Sequence, residues 1–108
     1  METILVLIVD DEPIIRQMYA DILAEHGYQV LIAKNATEGI ATVKRGAVDV
    51  ILMDIMMPEM TGLEALEVLK RIAPETPVIM VTSHPTRENA IAALTLGACD
   101  FLSKGFPP

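Results

Sequence analysis

Apolar residues follow two alternating rhythms along this chain. Short continuous runs occupy residues 4–9 (I-L-V-L-I-V), 28–33 (Y-Q-V-L-I-A), 48–53 (V-D-V-I-L-M), 78–82 (V-I-M-V-T) and 100–103 (D-F-L-S). All five are strand-sized; the near-continuous apolar run at 48–53 suits a parallel strand buried on both faces, and 4–9 reads as a buried strand. Between them, apolar positions recur at helical spacing. Over residues 13–26, Ile15, Met18, Tyr19, Ile22 and His26 share one side, Pro13 suits the first turn and Gly27 the stop. Asn35 can cap a helix over 36–45, with Glu38 as its partner and Gly46 as the stop. A third helix over 62–72 turns Leu63, Leu66, Leu69 and Ile72 inward behind a T-x-x-E capping box, Thr61 with Glu64. A fourth, over 86–96, turns Ile91 and Leu94 inward and closes at Gly97.

Strands alternating with helices predict an α/β fold, a doubly wound parallel five-stranded sheet with right-handed crossovers. In the flavodoxin-like order 2-1-3-4-5, the switch point lies between the first and third strands, so the C-terminal ends of 4–9 and 48–53 adjoin. The functional crevice is expected there.

Composition narrows the picture. The 108 residues fit one domain with one core. Although 52% of them are hydrophobic, no apolar run approaches the roughly 20 residues of a membrane helix. Met1-Glu2-Thr3 leads directly into the first strand, without the basic start of a signal or transit peptide. Cys99 is the single cysteine, so no internal disulfide can form and a reducing cytoplasm is the expected setting. A net charge of -7, with scattered lysines and arginines, argues against direct nucleic-acid binding and against an anionic membrane. Without tryptophan or an aromatic stripe there is no platform for stacked bases.

The candidate chemistry sits at strand ends. Asp10, Asp11 and Glu12 close the first strand and Asp54 closes the third. Taken singly, Asp54 reads as a turn residue and Asp10-Asp11 as a helix cap. Together, Asp10, Asp11 and Asp54 repel one another unless a hard divalent cation sits among them, and magnesium prefers such oxygen ligands while keeping waters. Thr82 ends the fourth strand and Lys104 follows the fifth, so both project towards the same edge. A cation, an ammonium and a hydroxyl can hold the oxygens of a phosphoryl group, and a carboxylate can accept one as an acyl phosphate.

The segments I-V-D-D-E at 8–12, I-L-M-D-I-M-M-P-E-M-T-G at 51–62, V-T-S at 81–83, G-A-C-D-F-L at 97–102, and Lys104 together resemble the receiver domain of bacterial two-component response regulators. The resemblance spans essentially residues 1–108. It implies that Asp54 is the phospho-acceptor, that Asp11, Asp54 and the backbone carbonyl of Met56 ligate Mg2+, and that Asp10 acts through metal-bound water. It further implies that Lys104 pairs with the phosphate, and that Thr82 and Phe101 form a switch pair reporting to an output surface over Arg87–Lys104. The donor would be a phosphohistidine on a sensor histidine kinase or a histidine phosphotransfer protein. Such a domain does chemistry on itself and turns over no external substrate. Self-association or contact with an output domain would carry the signal onward.

The chain departs from that pattern in three places. Gly105 follows Lys104 where the family has proline, often with a cis bond; a trans bond is expected here, because a non-proline cis bond costs about 3 kcal/mol. The sequence reaches Phe106-Pro107-Pro108 without the family's fifth helix. The expectation is a receiver domain truncated after the fifth strand, with apolar side chains of the first, third and fourth strands left uncovered. Finally, Met56 and His84 stand two residues after Asp54 and Thr82. Met56 cannot orient a water through a strong hydrogen bond, which implies slow loss of the phosphoryl group, and His84 could add pH dependence. Two other classes compete: a non-phosphorylated pseudo-receiver acting as an interaction module, and a nucleotide- or flavin-binding enzyme. The second would want a Gly- or Ser/Thr-rich phosphate loop where Asp10-Asp11-Glu12 stands.

Overall fold

The apolar runs pair into one sheet in the computed structural model, which describes residues 3–104. The elements run β1 (Leu5–Val9), α1 (Pro13–Glu25), β2 (Gln29–Ala33), α2 (Ala36–Lys44), β3 (Val50–Asp54), α3 (Gly62–Ile72), β4 (Val78–Thr82), α4 (Arg87–Thr95) and β5 (Asp100–Ser103). All neighbours are parallel, in the order β2-β1-β3-β4-β5. The doubly wound flavodoxin-like architecture expected from the sequence is therefore present.

Strand order and handedness place the helices. The step from β1 to β2 runs opposite to the steps from β2 to β5, so right-handed crossovers put α1 on one face and α2, α3 and α4 on the other. The main core lies under those three helices. There Leu7, Ile51, Met53, Leu66, Leu69 and Met80 are wholly enclosed. The α1 face is less closed: Val6 and Ile8 are buried, Leu52 and Ile79 half-buried, and Leu102 exposed. Cover on this face is thus complete for Val6 and Ile8 of β1 and partial for Leu52 of β3 and Ile79 of β4.

Caps set the helix starts. Thr61 and Glu64 form the reciprocal capping box of α3. Asn35 accepts from the Glu38 N–H at 2.8 Å, but the Glu38 carboxylate reaches back to the Lys34 N–H rather than to Asn35. Three inward faces differ from expectation. Ile22 is exposed and α1 buries none of its side chains. Ile72 is exposed at the end of α3. On α4, Ile91 and Leu94 are both 55% exposed, and Ala93 is the buried residue. The Lys104–Gly105 bond and residues 106–108 fall outside the described residues.

Candidate functional site

Register brings the strand ends together. Val9 pairs with Met53 across β1 and β3, so the next residues, Asp10 and Asp54, are neighbours. Asp54 itself pairs with Val81, which sets Thr82 beside it on β4. Thr82 pairs with Ser103, and the Lys104 N–H donates to the Thr82 carbonyl at 2.8 Å, which carries Lys104 to the same edge. Asp10, Asp54, Thr82 and Lys104 are all buried, the only polar or charged residues so enclosed among those described.

The Lys104 ammonium is the hub. Its Nζ lies 2.9 Å from Asp10 Oδ2, 2.9 Å from Glu12 Oε1 and 3.3 Å from Asp54 Oδ2. Asp10 is fixed further: its Oδ1 accepts from the Glu12 N–H at 2.9 Å, and its carbonyl accepts from Arg16 Nη1 at 2.7 Å. Asp54 Oδ1, by contrast, is buried with no hydrogen-bond partner among the described residues.

Electrostatics follow from this packing. Burial, then the charge of Asp10, pushes the Asp54 carboxyl up from 3.8 to about 7, with Lys104 opposing. Burial alone would lower the Lys104 ammonium, but hydrogen bonds to Glu12 and Asp10 and the charges of Asp54 and Asp10 outweigh it. That group stays above the ordinary lysine value and remains a cation.

The donor set suits a small hard cation. Asp10, Asp11, Glu12 and Asp54 each offer a carboxylate oxygen, all within 4.8 Å of one another. One of these residues holds a buried oxygen without a partner, and divalent cations of the magnesium type take oxygen donors of this kind. A cleft of about 260 Å³ opens beside Asp11, lined by Pro13, Arg16, Lys34, Asn35, Pro58 and Glu59.

The chain after Asp54 turns tightly. The Gly62 N–H donates to the Ile55 carbonyl at 2.9 Å. A Cβ at Gly62 would collide with the Asp54 backbone carbonyl, so only glycine allows this approach. Glu59, in the same loop, takes a left-handed conformation with φ 68.

Not every expected residue joins the cluster. The Thr82 hydroxyl accepts from the His84 N–H at 3.0 Å, and no hydrogen bond from it to an acid is seen among the described residues. Phe101 is half-buried and packs against the apolar core. The Met56 side chain is 52% exposed. Two participants carried no expected role: Glu12, which reaches Lys104, and Arg16, which braces Asp10. Their signal is faint, an acid directly after Asp10-Asp11 and a cation one helical turn beyond it.

Comparison with known proteins agrees with this geometry. The sequence profile of the response regulator receiver domain matches residues 6–108. The chain is 40% identical over 103 residues to the nitrogen assimilation regulatory protein NtrX of Azorhizobium caulinodans, covering 94% of this chain and 23% of that one. Its fold is similar to that of the chemotaxis protein CheY4 of Vibrio cholerae, with TM-score 0.91 and 34% identity over 99% of this chain and 91% of CheY4. It is also similar to TrrA of Thermotoga maritima, solved in complex with Mg(2+)-BeF, with TM-score 0.88 and 28% identity over 96% and 89% of the two chains. The chain spans less than half the length of the curated relatives it matches.

Proposed function

The chain belongs to the response regulator receiver domain family of two-component systems, and from that premise we propose that Asp54 accepts a phosphoryl group from a phosphohistidine. The donor would be a sensor histidine kinase or a histidine phosphotransfer protein, met in the cytoplasm. The observation that carries this reading is the buried, unpartnered Oδ1 of Asp54 beside a lysine held as a cation.

In the reaction a lone pair on the Asp54 carboxylate attacks phosphorus, the N–P bond of the donor breaks, and its imidazole leaves with the bonding electrons. Asp10, Asp11, Asp54 and the Met56 carbonyl would hold Mg2+, which when bound would keep Asp54 ionised and offset negative charge on the phosphoryl oxygens. Lys104 supplies a fixed positive charge to one of those oxygens, preorganised by its burial. The Thr82 hydroxyl, now an acceptor from the His84 N–H, would rotate to donate to another. That change would be felt by Phe101, two strands' width away from Asp54 and packed against the core, and hence by the output surface of α4 and β5. Self-association or an output-domain contact through that surface would transmit the state. The exposed apolar side chain of Met56 orients no water, so the acyl phosphate should be long-lived.

The test is intact mass after incubation with Mg2+ and acetyl phosphate, for the wild type and Asp54→Asn. A single phosphoryl adduct that needs Mg2+ and disappears in the variant supports the reading. Its absence from folded wild-type protein overturns it.

A further inference from the structure

A lysine ammonium has three N–H donors. In the resting protein each has a carboxylate oxygen within reach: Asp10 Oδ2 at 2.9 Å, Glu12 Oε1 at 2.9 Å and Asp54 Oδ2 at 3.3 Å. A phosphoryl oxygen arriving at Asp54 therefore finds no free donor on Lys104, and one of the present partners must let go.

The three partners differ in what release would cost. The Asp10 side chain is 3% exposed, and its release would leave a buried charge without its counter-ion. Asp54, 2% exposed, gives up its own charge only as the bond to phosphorus forms, so its contact is not released beforehand. The Glu12 side chain is 55% exposed and would simply be rehydrated. Glu12 also stands at the N-cap of α1, yet its side chain makes no capping bond there. It reaches instead across 92 residues of sequence to Lys104. Letting go would bring its carboxylate back to the start of α1, where the first-turn N–H groups and the helix dipole favour an anion.

We infer that Glu12 is a displaceable counter-ion that occupies, in the unmodified protein, the Lys104 donor the phosphoryl group needs. It acts on the reaction through Lys104, as a positioning residue, and it restrains phosphorylation until it is displaced. This rests on the reading of Asp54 as phosphoryl acceptor.

The experiment compares the rate of Mg2+-dependent phosphorylation by acetyl phosphate in the wild type, Glu12→Gln and Glu12→Asp. Glutamine removes the charge. Aspartate keeps it, but is one methylene short of the reach to Lys104. Both variants should be phosphorylated about threefold to tenfold faster than the wild type, the factor expected from losing one hydrogen bond of ordinary net strength. Acceleration by glutamine alone would reduce the effect to general charge repulsion and overturn the inference. Equal rates in all three proteins would also overturn it. A wild type that forms no adduct fails in a different way, removing the acceptor reading first and this inference with it.

Discussion

The core under α2, α3 and α4 and the C-terminal edge of the same sheet are equally buried and oppositely built. Leu7, Ile51, Met53 and Leu66 show no exposed surface, and every one of them gains by leaving water. Asp10, Asp54 and Lys104 are nearly as enclosed, but each surrenders hydration that ion pairing only partly returns. Burial alone therefore says nothing about stability. A carboxylate pushed up to about 7 is a local cost of folding, and a fold keeps such a cost where it has a use.

The comparison can be broken most directly in the core. Leu66→Ala should lower unfolding free energy by about 3–5 kcal/mol, read as the shift in urea midpoint, because the enclosed site cannot refill the cavity. A loss under about 1 kcal/mol would mean the interior is not the main source of stability.

At the edge the sign should reverse. The folded protein binds a proton at Asp54 up to about pH 7, whereas the unfolded chain releases it near 3.8. Without a divalent cation, stability should then fall as pH rises from about 4 to about 7. Asp54→Asn removes that slope, so the variant should be the more stable protein above about pH 7, with the difference vanishing below about pH 4. The gain is bounded by about 4 kcal/mol, from roughly 1.4 kcal/mol per pH unit, and Asp10 and Lys104 will readjust to reduce it. A variant less stable than the wild type at pH 8 would refute the contrast.

Smaller effects sharpen the boundary between the regions. Thr61→Ala removes the side-chain half of the α3 capping box and should cost about 1 kcal/mol. Leu94→Ala, on the open side of α4, should change stability by less than about 0.5 kcal/mol in thermal melts. If Leu94→Ala cost as much as Leu66→Ala, the observed orientation of α4 would be wrong.

Legibility divides along the same line. The run at 4–9 reads as a buried strand, which β1 (Leu5–Val9) largely is, and strand order then brings Asp10, Asp54, Thr82 and Lys104 to one edge. The face of α4 was not legible, because Ala90, Ala92 and Ala93 give helical periodicity little contrast and the larger Ile91 and Leu94 misdirect it. Nor was the partner of Glu12, since an ion pair between residues 92 apart leaves no local pattern. The resting partner of the Thr82 hydroxyl, the His84 N–H two residues on, was not legible either.

The close approach of Gly62 to the Asp54 carbonyl has a consequence for motion. Asp54 is paired in the sheet with Val81, the Ile55 N–H donates to the Val81 carbonyl at 3.3 Å, and Gly62 closes back on Ile55. The acceptor's backbone is thus clamped from both sides, and its amide neighbours should exchange with solvent only when the whole sheet opens. The residues at 83–86 are all exposed and are held by short-range bonds within the β4–α4 segment, such as His84 N–H to the Thr82 hydroxyl and the Asn89 side chain to the His84 carbonyl. Rearrangement on the microsecond to millisecond scale would then belong to the β4–α4 side, with Asp54 as the stationary anvil against which it works.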